Sequence, residues 1–501
     1  MKIKKYGFAL VLTALVVSIS GCVKETTDNY FQIDQSQYKS TFNELRTDYV
    51  YKAEANQSGD VKVLVVPVEL KGYLASSLPA GREGTREQIN NVVFGASPSE
   101  DPTSELQWES LKSFYYKSSY EQCNIEGYTT DWWYVDQSPT QFKSGASVQG
   151  LIGEINDYYR SGADENVNPK DFDANGDGYI DLVILVYSCK QKVLGQKDDV
   201  FWAYCTQSST SADIDNPNIS RYIWLSQNFM FENGYWEGNT HKDWTSGQIA
   251  NREAKLDAHT FIHEVGHGLG LADYYSYDDG DISAMGKLDM MDYNVGDHNA
   301  YSKALYGWIS PYVVEGRATI TIDSFQNTGD SIIVPIRSSN WKETTYSLLD
   351  EYLILEYDTI DNLVVFDSLH KYANAYPIWF SQAGVRVIHV DSRIGVFSRS
   401  SHSFLGYTEK SKIENDANYV YFAHDNTLSR TVRGNRLAQV MSKSGSLMTM
   451  TALNSDLFVQ GDSFGYDTFS NFKMNSGAEL GFKFQITEMN ETSCTIDFYV
   501  A

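Results

Sequence analysis

Residues 258–273 read AHTFIHEVGHGLGLAD and contain the pattern H-E-x-x-H-x-x-G-x-x-D. On a helix, His263 and His267 stand one turn apart on one face, so both imidazoles project to the same side. Glu264 follows the first histidine, where its carboxylate can reach a water on a bound cation and act as general base. A catalytic zinc takes three protein ligands and keeps a fourth position open, so the two histidines leave it one ligand short. Gly270 can take positive φ, end the helix and turn the chain back. Asp273 can then supply the third ligand, carboxylate oxygen being an accepted though less common choice. Phe261, Ile262, Val265 and Leu269 would pack the helix inward. Gly266 and Gly268, which cost a helix stability, point to close neighbours around the site. The competing reading is a solvated or core helix that merely carries two histidines. Thermolysin-like enzymes recruit a downstream glutamate instead, but no glutamate occurs between Glu264 and Glu315, which returns the third-ligand role to Asp273.

The N-terminus, MKIKKYGFALVLTALVVSISGC, sets three lysines before an apolar run of about a dozen residues, the pattern of a secretory signal and too short for a membrane span. Ile19-Ser20-Gly21-Cys22 resembles the bacterial lipobox, which implies removal of residues 1–21 and lipid attachment to Cys22; the alternative is free secretion. Residues 22–57 are polar and uneven and read as a tether or short pro-segment. Beyond them, VKVLVVPVEL (61–70) and DLVILVYSC (181–189) are continuous apolar runs of strand length. QWESLKSFYYKSSYEQCNIEGY (107–128) opens at helical spacing and passes into a strand. From about residue 314 short β-branched runs dominate: ATITI, SIIVPI, EYLILEY, GVRVIHV, YVYFA and CTIDFYV. The expected class is α+β, with a zinc-binding catalytic domain over 58–313 and a β-rich, sandwich-like domain over 314–501.

With 65 acidic against 40 basic residues the formal charge is −25, a surface that repels phosphate backbones and argues against nucleic-acid partners. Besides Cys22, the cysteines are Cys123, Cys189, Cys205 and Cys494. Export would permit disulfides, four cysteines allow three pairings, and none has zinc-site spacing.

DFDANGDGYID (171–181) suggests a second metal site. Calcium takes six to eight oxygens, which closely spaced carboxylates among glycine turns can provide. From Asp173 the order follows the first nine positions of an EF-hand loop, but the twelfth is Ile184 rather than a bidentate Glu. The candidate donors are Asp171, Asp173, Asn175, Asp177 and Asp181, with the Tyr179 carbonyl; the bland reading is an acidic turn. DDGD (278–281) reads as a solvated loop.

The zinc motif and its downstream sequence resemble the immune inhibitor A family of secreted bacterial zinc metalloproteases, which carries aspartate where related metzincins have a final histidine. AMGKLDMMDYNVGDHNAYSKALYGWISP (284–311) looks like the family's passage from a methionine turn into G-D-H-x-A-x-S-K and G-W. WESLKSFYYKSSYEQCNIEGY, EYLILEY and GVRVIHVD look like three further family segments. The resemblance covers roughly residues 60–400. It implies a metzincin-like fold and an endopeptidase acting on protein or peptide substrates. It implies that Met291, or Met290 if the register shifts by one, lies beneath the zinc and shapes the site without coordinating. The family's run before a strand is similar to 171–181 and implies structural calcium. Tyr293, two residues after Met291, is similar in offset to the oxyanion-stabilising tyrosine of astacin- and serralysin-like enzymes. Asp297 and His298 would orient the turn or its ligands, or cap locally. The expectation is thus an extracellular, lipid-anchored zinc endopeptidase that touches membrane only through its anchor. The rival is a non-catalytic surface lipoprotein, binding mucin or glycan on a vestigial protease fold.

Overall fold

The computed structural model describes residues 55–500 apart from 196–199, 277–281, 315, 336–347, 374, 399–400, 402, 408–418, 423, 425–434, 449 and 470–471. The signal pattern, Cys22, most of the 22–57 segment and the DDGD run lie outside the described residues. Among the described residues no helix is long and apolar enough to cross a membrane.

The chain is mixed α and β with several sheets, in keeping with the α+β expectation. Six strands build the first sheet: β1 (Gly59–Leu70), β2 (Cys123–Thr129), β3 (Trp133–Val135), β4 (Leu182–Tyr187), β5 (Tyr204–Gln207) and β6 (Arg221–Ser226). The order is β2-β1-β4-β6-β5, with β3 also pairing β1. All pairs are parallel except β5, which closes the sheet antiparallel to β6. A parallel sheet covered on both faces needs strands that are apolar throughout, hence the unbroken runs in β1 and β4. Val61, Val63 and Val65 enter one core while Leu64, Val66 and Val68 enter the other. Pro67 has no N–H to give, and it falls between the β2 register, which ends at Val65, and the β3 register, which starts at Val68.

One face of this sheet is covered by α1 (Gly81–Phe94), α2 (Leu111–Ser118) and the motif helix, and the other by α3 (Gly145–Arg160). On α3, Val148, Leu151, Ile152 and Ile155 form one apolar stripe in the second core. Ser110 starts α2 with a reciprocal capping box to Ser113. The motif helix is α4 (His259–Gly268), followed by α5 (Met290–Tyr293) and α6 (Ala300–Tyr306). Helices α1 and α3 and strands β5 and β6 are additions to what the sequence reading singles out.

The later strands make a sandwich. One sheet has the order β7 (Tyr312–Val313), β9 (Ser331–Pro335), β10 (Glu351–Asp358), β11 (Gly384–Asp391), β12 (Ala438–Met441). The other is antiparallel: β8 (Ala318–Asp323), β15 (Ser493–Val500), β14 (Phe482–Met489), β13 (Ser463–Gly465). Between them lie Leu353, Leu355 and Val387 from the first sheet and Ile320, Phe484 and Ile496 from the second. The opposite face of the five-stranded sheet is buried as well. Ile333, Ile354, Ile388 and Val440 belong to the core that holds α2 and α4, and each such side chain contributes about 1.5–3 kcal/mol on burial. The sandwich is therefore fused to the helical region through a shared core, and β7, just before residue 314, already pairs with β9. YVYFA forms a strand at Tyr419–Phe422 in a separate three-stranded sheet. Among the described residues, no disulfide joins Cys123, Cys189, Cys205 and Cys494 to one another.

Candidate metal centre

Helix α4 opens where the Asp257 carboxylate accepts the His259 N–H at 2.9 Å, and just past its C-cap, Leu269, stands Gly270, whose φ is +107°. That left-handed backbone, open to glycine but costly for other residues, swings the chain back so that Asp273 meets the helix. Asp273 Oδ1 lies 3.0 Å from His263 Nε2 and 3.2 Å from His267 Nε2. The imidazoles are nearly perpendicular, at 88°, with centroids 4.9 Å apart. Among the described residues these three are the one group of three or more His, Cys, Asp or Glu side chains placed to hold a metal ion, with ligand atoms within 4.8 Å of one another.

The backbone decides which ring nitrogens face inward. His263 Nδ1 donates to the Met290 carbonyl and His267 Nδ1 to the Leu271 carbonyl, each at 2.8 Å. With Nδ1 carrying the proton, both Nε2 atoms are lone-pair donors toward the shared point. Burial alone would lower both imidazoles, but Asp273 outweighs it, raising His263 and bringing His267 to about 9. Burial pushes Asp273 up, yet His267 and His263 together hold it well below the usual carboxylate range. Glu264 is buried and raised by that burial, and its Oε2 has no hydrogen-bond partner among the described residues. Two imidazoles and one carboxylate converging on one point, beside an orphaned buried carboxylate oxygen, are a donor set of the kind that zinc and other transition-metal ions accept.

Packing holds the helix in place. A Cβ on Gly266 would lie 2.5 Å from Met291 Sδ, and one on Gly268 would lie 2.9 Å from Leu182 Cδ1. The thioether of Met291 thus sits directly against the helix between the two histidines, while Met290 serves through its carbonyl. The Tyr115 hydroxyl donates to the Ile262 carbonyl at 2.8 Å and Tyr306 to that of Gly266 at 2.9 Å.

Tyr293 packs its ring against Tyr376, with the Lys287 ammonium 4.5 Å from its centroid. His298 is enclosed by Phe114, Tyr115, Tyr306 and Trp308. Neither of its ring nitrogens has a hydrogen-bond partner among the described residues, and burial, reinforced by Lys303, drives it well below the usual imidazole range. It is a buried histidine of the aromatic core. Asp297 accepts the Ser118 hydroxyl at 2.5 Å and the Lys303 ammonium at 2.6 Å, an ion pair inside the core.

The acidic run closes on itself. Asp173 accepts the N–H groups of Gly176, Asp177 and Gly178 at 2.8, 3.1 and 3.0 Å. Asp177 takes the Tyr179 N–H at 3.0 Å. Buried Asp181 takes those of Lys62 and Ala174 at 2.8 and 3.2 Å, and burial pushes it up to about 7. Asn175 donates to Asp177 at 3.2 Å and Asn168 to Asp171 at 3.4 Å.

Sequence reasoning missed a buried group at the start of α4. His259, one turn before His263, is stacked between Trp108 and Tyr372. Its Nδ1 is 2.9 Å from Asp257 and its Nε2 is 3.7 Å from Asp367. Burial would lower it, but Asp257 and then Asp367 bring it to about 10. The signal was the D-A-H spacing just ahead of the motif. Also missed were Glu356 and Arg386, charged residues inside the otherwise apolar runs EYLILEY and GVRVIHV.

Neither a family model nor a curated protein matches this sequence.

Proposed function

We propose that this chain is an extracellular zinc endopeptidase with a metzincin-like catalytic domain related to the immune inhibitor A proteases, exported and lipid-anchored at Cys22, that hydrolyses peptide bonds of protein substrates. The observation that carries the reading is the convergence of His263 Nε2, His267 Nε2 and Asp273 Oδ1 beside the unengaged carboxylate oxygen of Glu264. Zinc bound by those three residues would supply a Lewis acid and lower the pKa of a water toward neutrality. Glu264 takes a proton from the attacking water and returns it to the leaving amine. Strand β5 ends the sheet beside α4, and a sheet edge is where an extended peptide can add its main chain. Asp171, Asp173, Asn175, Asp177 and Asp181, the candidate calcium donors, take no part in this chemistry.

The alternative, a surface-binding lipoprotein, would have no need of the Glu264 carboxylate. The test is casein hydrolysis by the zinc-loaded mature chain and by Glu264→Gln, with zinc content measured in both. The variant should keep its zinc and lose about 10²–10⁴-fold in rate. Undiminished hydrolysis by the variant refutes the mechanism; no hydrolysis by the zinc-loaded parent favours the binding reading.

A further inference from the structure

We infer that the C-terminal sheet is part of the metal centre's positioning machinery, with Arg386 and Glu356 fixing the methionine turn that aims His263; its consequence for metal binding rests on the zinc reading above. Arg386 lies on β11, is 2 % exposed, and donates from Nη1 to the Leu288 carbonyl at 2.7 Å. Its remaining N–H groups face Glu356, and its Nε lies 3.0 Å from Asp358. The other oxygen of Glu356 accepts the Ala300 N–H at 2.8 Å, where α6 begins. One ion pair thus grips both ends of the segment 288–300.

What lies between those grips bears on the metal site. Met290 holds His263 Nδ1, and Met291 packs on Gly266. Within the turn, Asp289 accepts the N–H groups of Met291 at 2.8 Å and Asn299 at 3.0 Å. A third tie comes from Asp367, also in the C-terminal part, which accepts the Gly296 N–H at 2.6 Å. The partner of Nδ1 sets the direction of a ligating imidazole, so displacing Leu288 and Met290 would re-aim Nε2 of His263.

Stability alone does not account for the arrangement. A buried ion pair carries a desolvation penalty that well-packed apolar side chains avoid, often with no loss of stability. What the guanidinium adds is a rigid fork that engages carboxylate and carbonyl together. Lysine keeps the charge but has one nitrogen and cannot span both.

The experiment compares the full mature chain with Arg386→Lys and with the neutralised triple variant Arg386→Met, Glu356→Gln, Asp358→Asn, in case the single variant does not fold. Three readouts apply: zinc affinity by chelator competition, the visible spectrum of the cobalt-substituted protein, and amide hydrogen exchange in the metal-free protein. The inference expects zinc affinity to fall about 10–100-fold, the range for lost outer partners of a metal ligand. The cobalt spectrum should shift, and exchange should quicken across 285–300 while β14 and β15 stay protected. Unchanged affinity, spectrum and local exchange overturn it, as does exchange that quickens uniformly, the mark of a purely structural role. Should the parent bind zinc without hydrolysing casein, the protease reading alone fails. Should the parent bind no zinc, the metal reading fails and the exchange pattern alone decides: local quickening supports the inference, and its absence overturns it.

Discussion

The bend after α4 and the loop at 171–181 both gather carboxylates around glycines, yet their backbones treat the side chains in opposite ways. At the bend, main-chain carbonyls of Met290 and Leu271 occupy the outer nitrogens of His263 and His267, so the inner nitrogens and Asp273 are turned toward one point. In the loop, main-chain N–H groups occupy the carboxylates themselves, three of them on Asp173. A histidine has one nitrogen for the backbone and one for a cation, so anchoring it sharpens a site. Hydrogen bonds to a carboxylate's oxygens stabilise a turn and compete with a cation for the same lone pairs. Donor count is equal to neither outcome; the direction of the backbone's own hydrogen bonds separates them.

The largest contrast should appear in metal affinity. Asp273→Ala should weaken zinc binding by more than the roughly 10–100-fold that losing an outer partner costs, whereas Asp173→Ala should leave zinc affinity unchanged in the same competition titration. Equal effects would break the comparison. Next, zinc at a hundred times its dissociation constant should stabilise the folded chain by about 2.7 kcal/mol, seen as a higher Tm that a zinc chelator reverses. Millimolar calcium should raise Tm by much less, and a calcium effect as large as that of zinc would mean that the loop releases its amides to a cation.

Smaller effects sharpen the picture of the centre. Gly266→Ala drives a methyl group into Met291 Sδ and should destabilise by about 1–3 kcal/mol in urea unfolding. The pH dependence of His259 has a definite sign. Its imidazole rises in the folded chain to about 10, so its stabilising contribution is complete below the ordinary value near 6.5 and is lost as pH climbs through about 10. The Tm gap between the parent and His259→Gln should therefore narrow from pH 6 to pH 10.5, and a constant gap would show that the ring is uncharged. Asp173→Ala comes last, at about 1 kcal/mol, because the amides it frees are near solvent and can hydrate.

Periodicity and motif spacing carry much of this molecule. The proposed ligand set follows from helical geometry plus one glycine able to take positive φ, both local properties, and Gly270 does take it. Strands β1, β4, β10 and β11 are legible for the same reason, since burial on both faces writes an unbroken apolar run. Long-range partnership is what a linear pattern does not encode. That Asp173 faces its own loop, that the ring of His298 sits among four aromatic rings with no polar partner among the described residues, and that Arg386 reaches Leu288 all depend on which surfaces meet after collapse. The charged residues inside EYLILEY and GVRVIHV marked something buried and paired, but the partner lay 98 residues away in sequence. Hydrogen bonds and ion pairs act over a few ångströms, so only the packing of the sandwich onto the helical core could bring those groups within reach of the methionine turn.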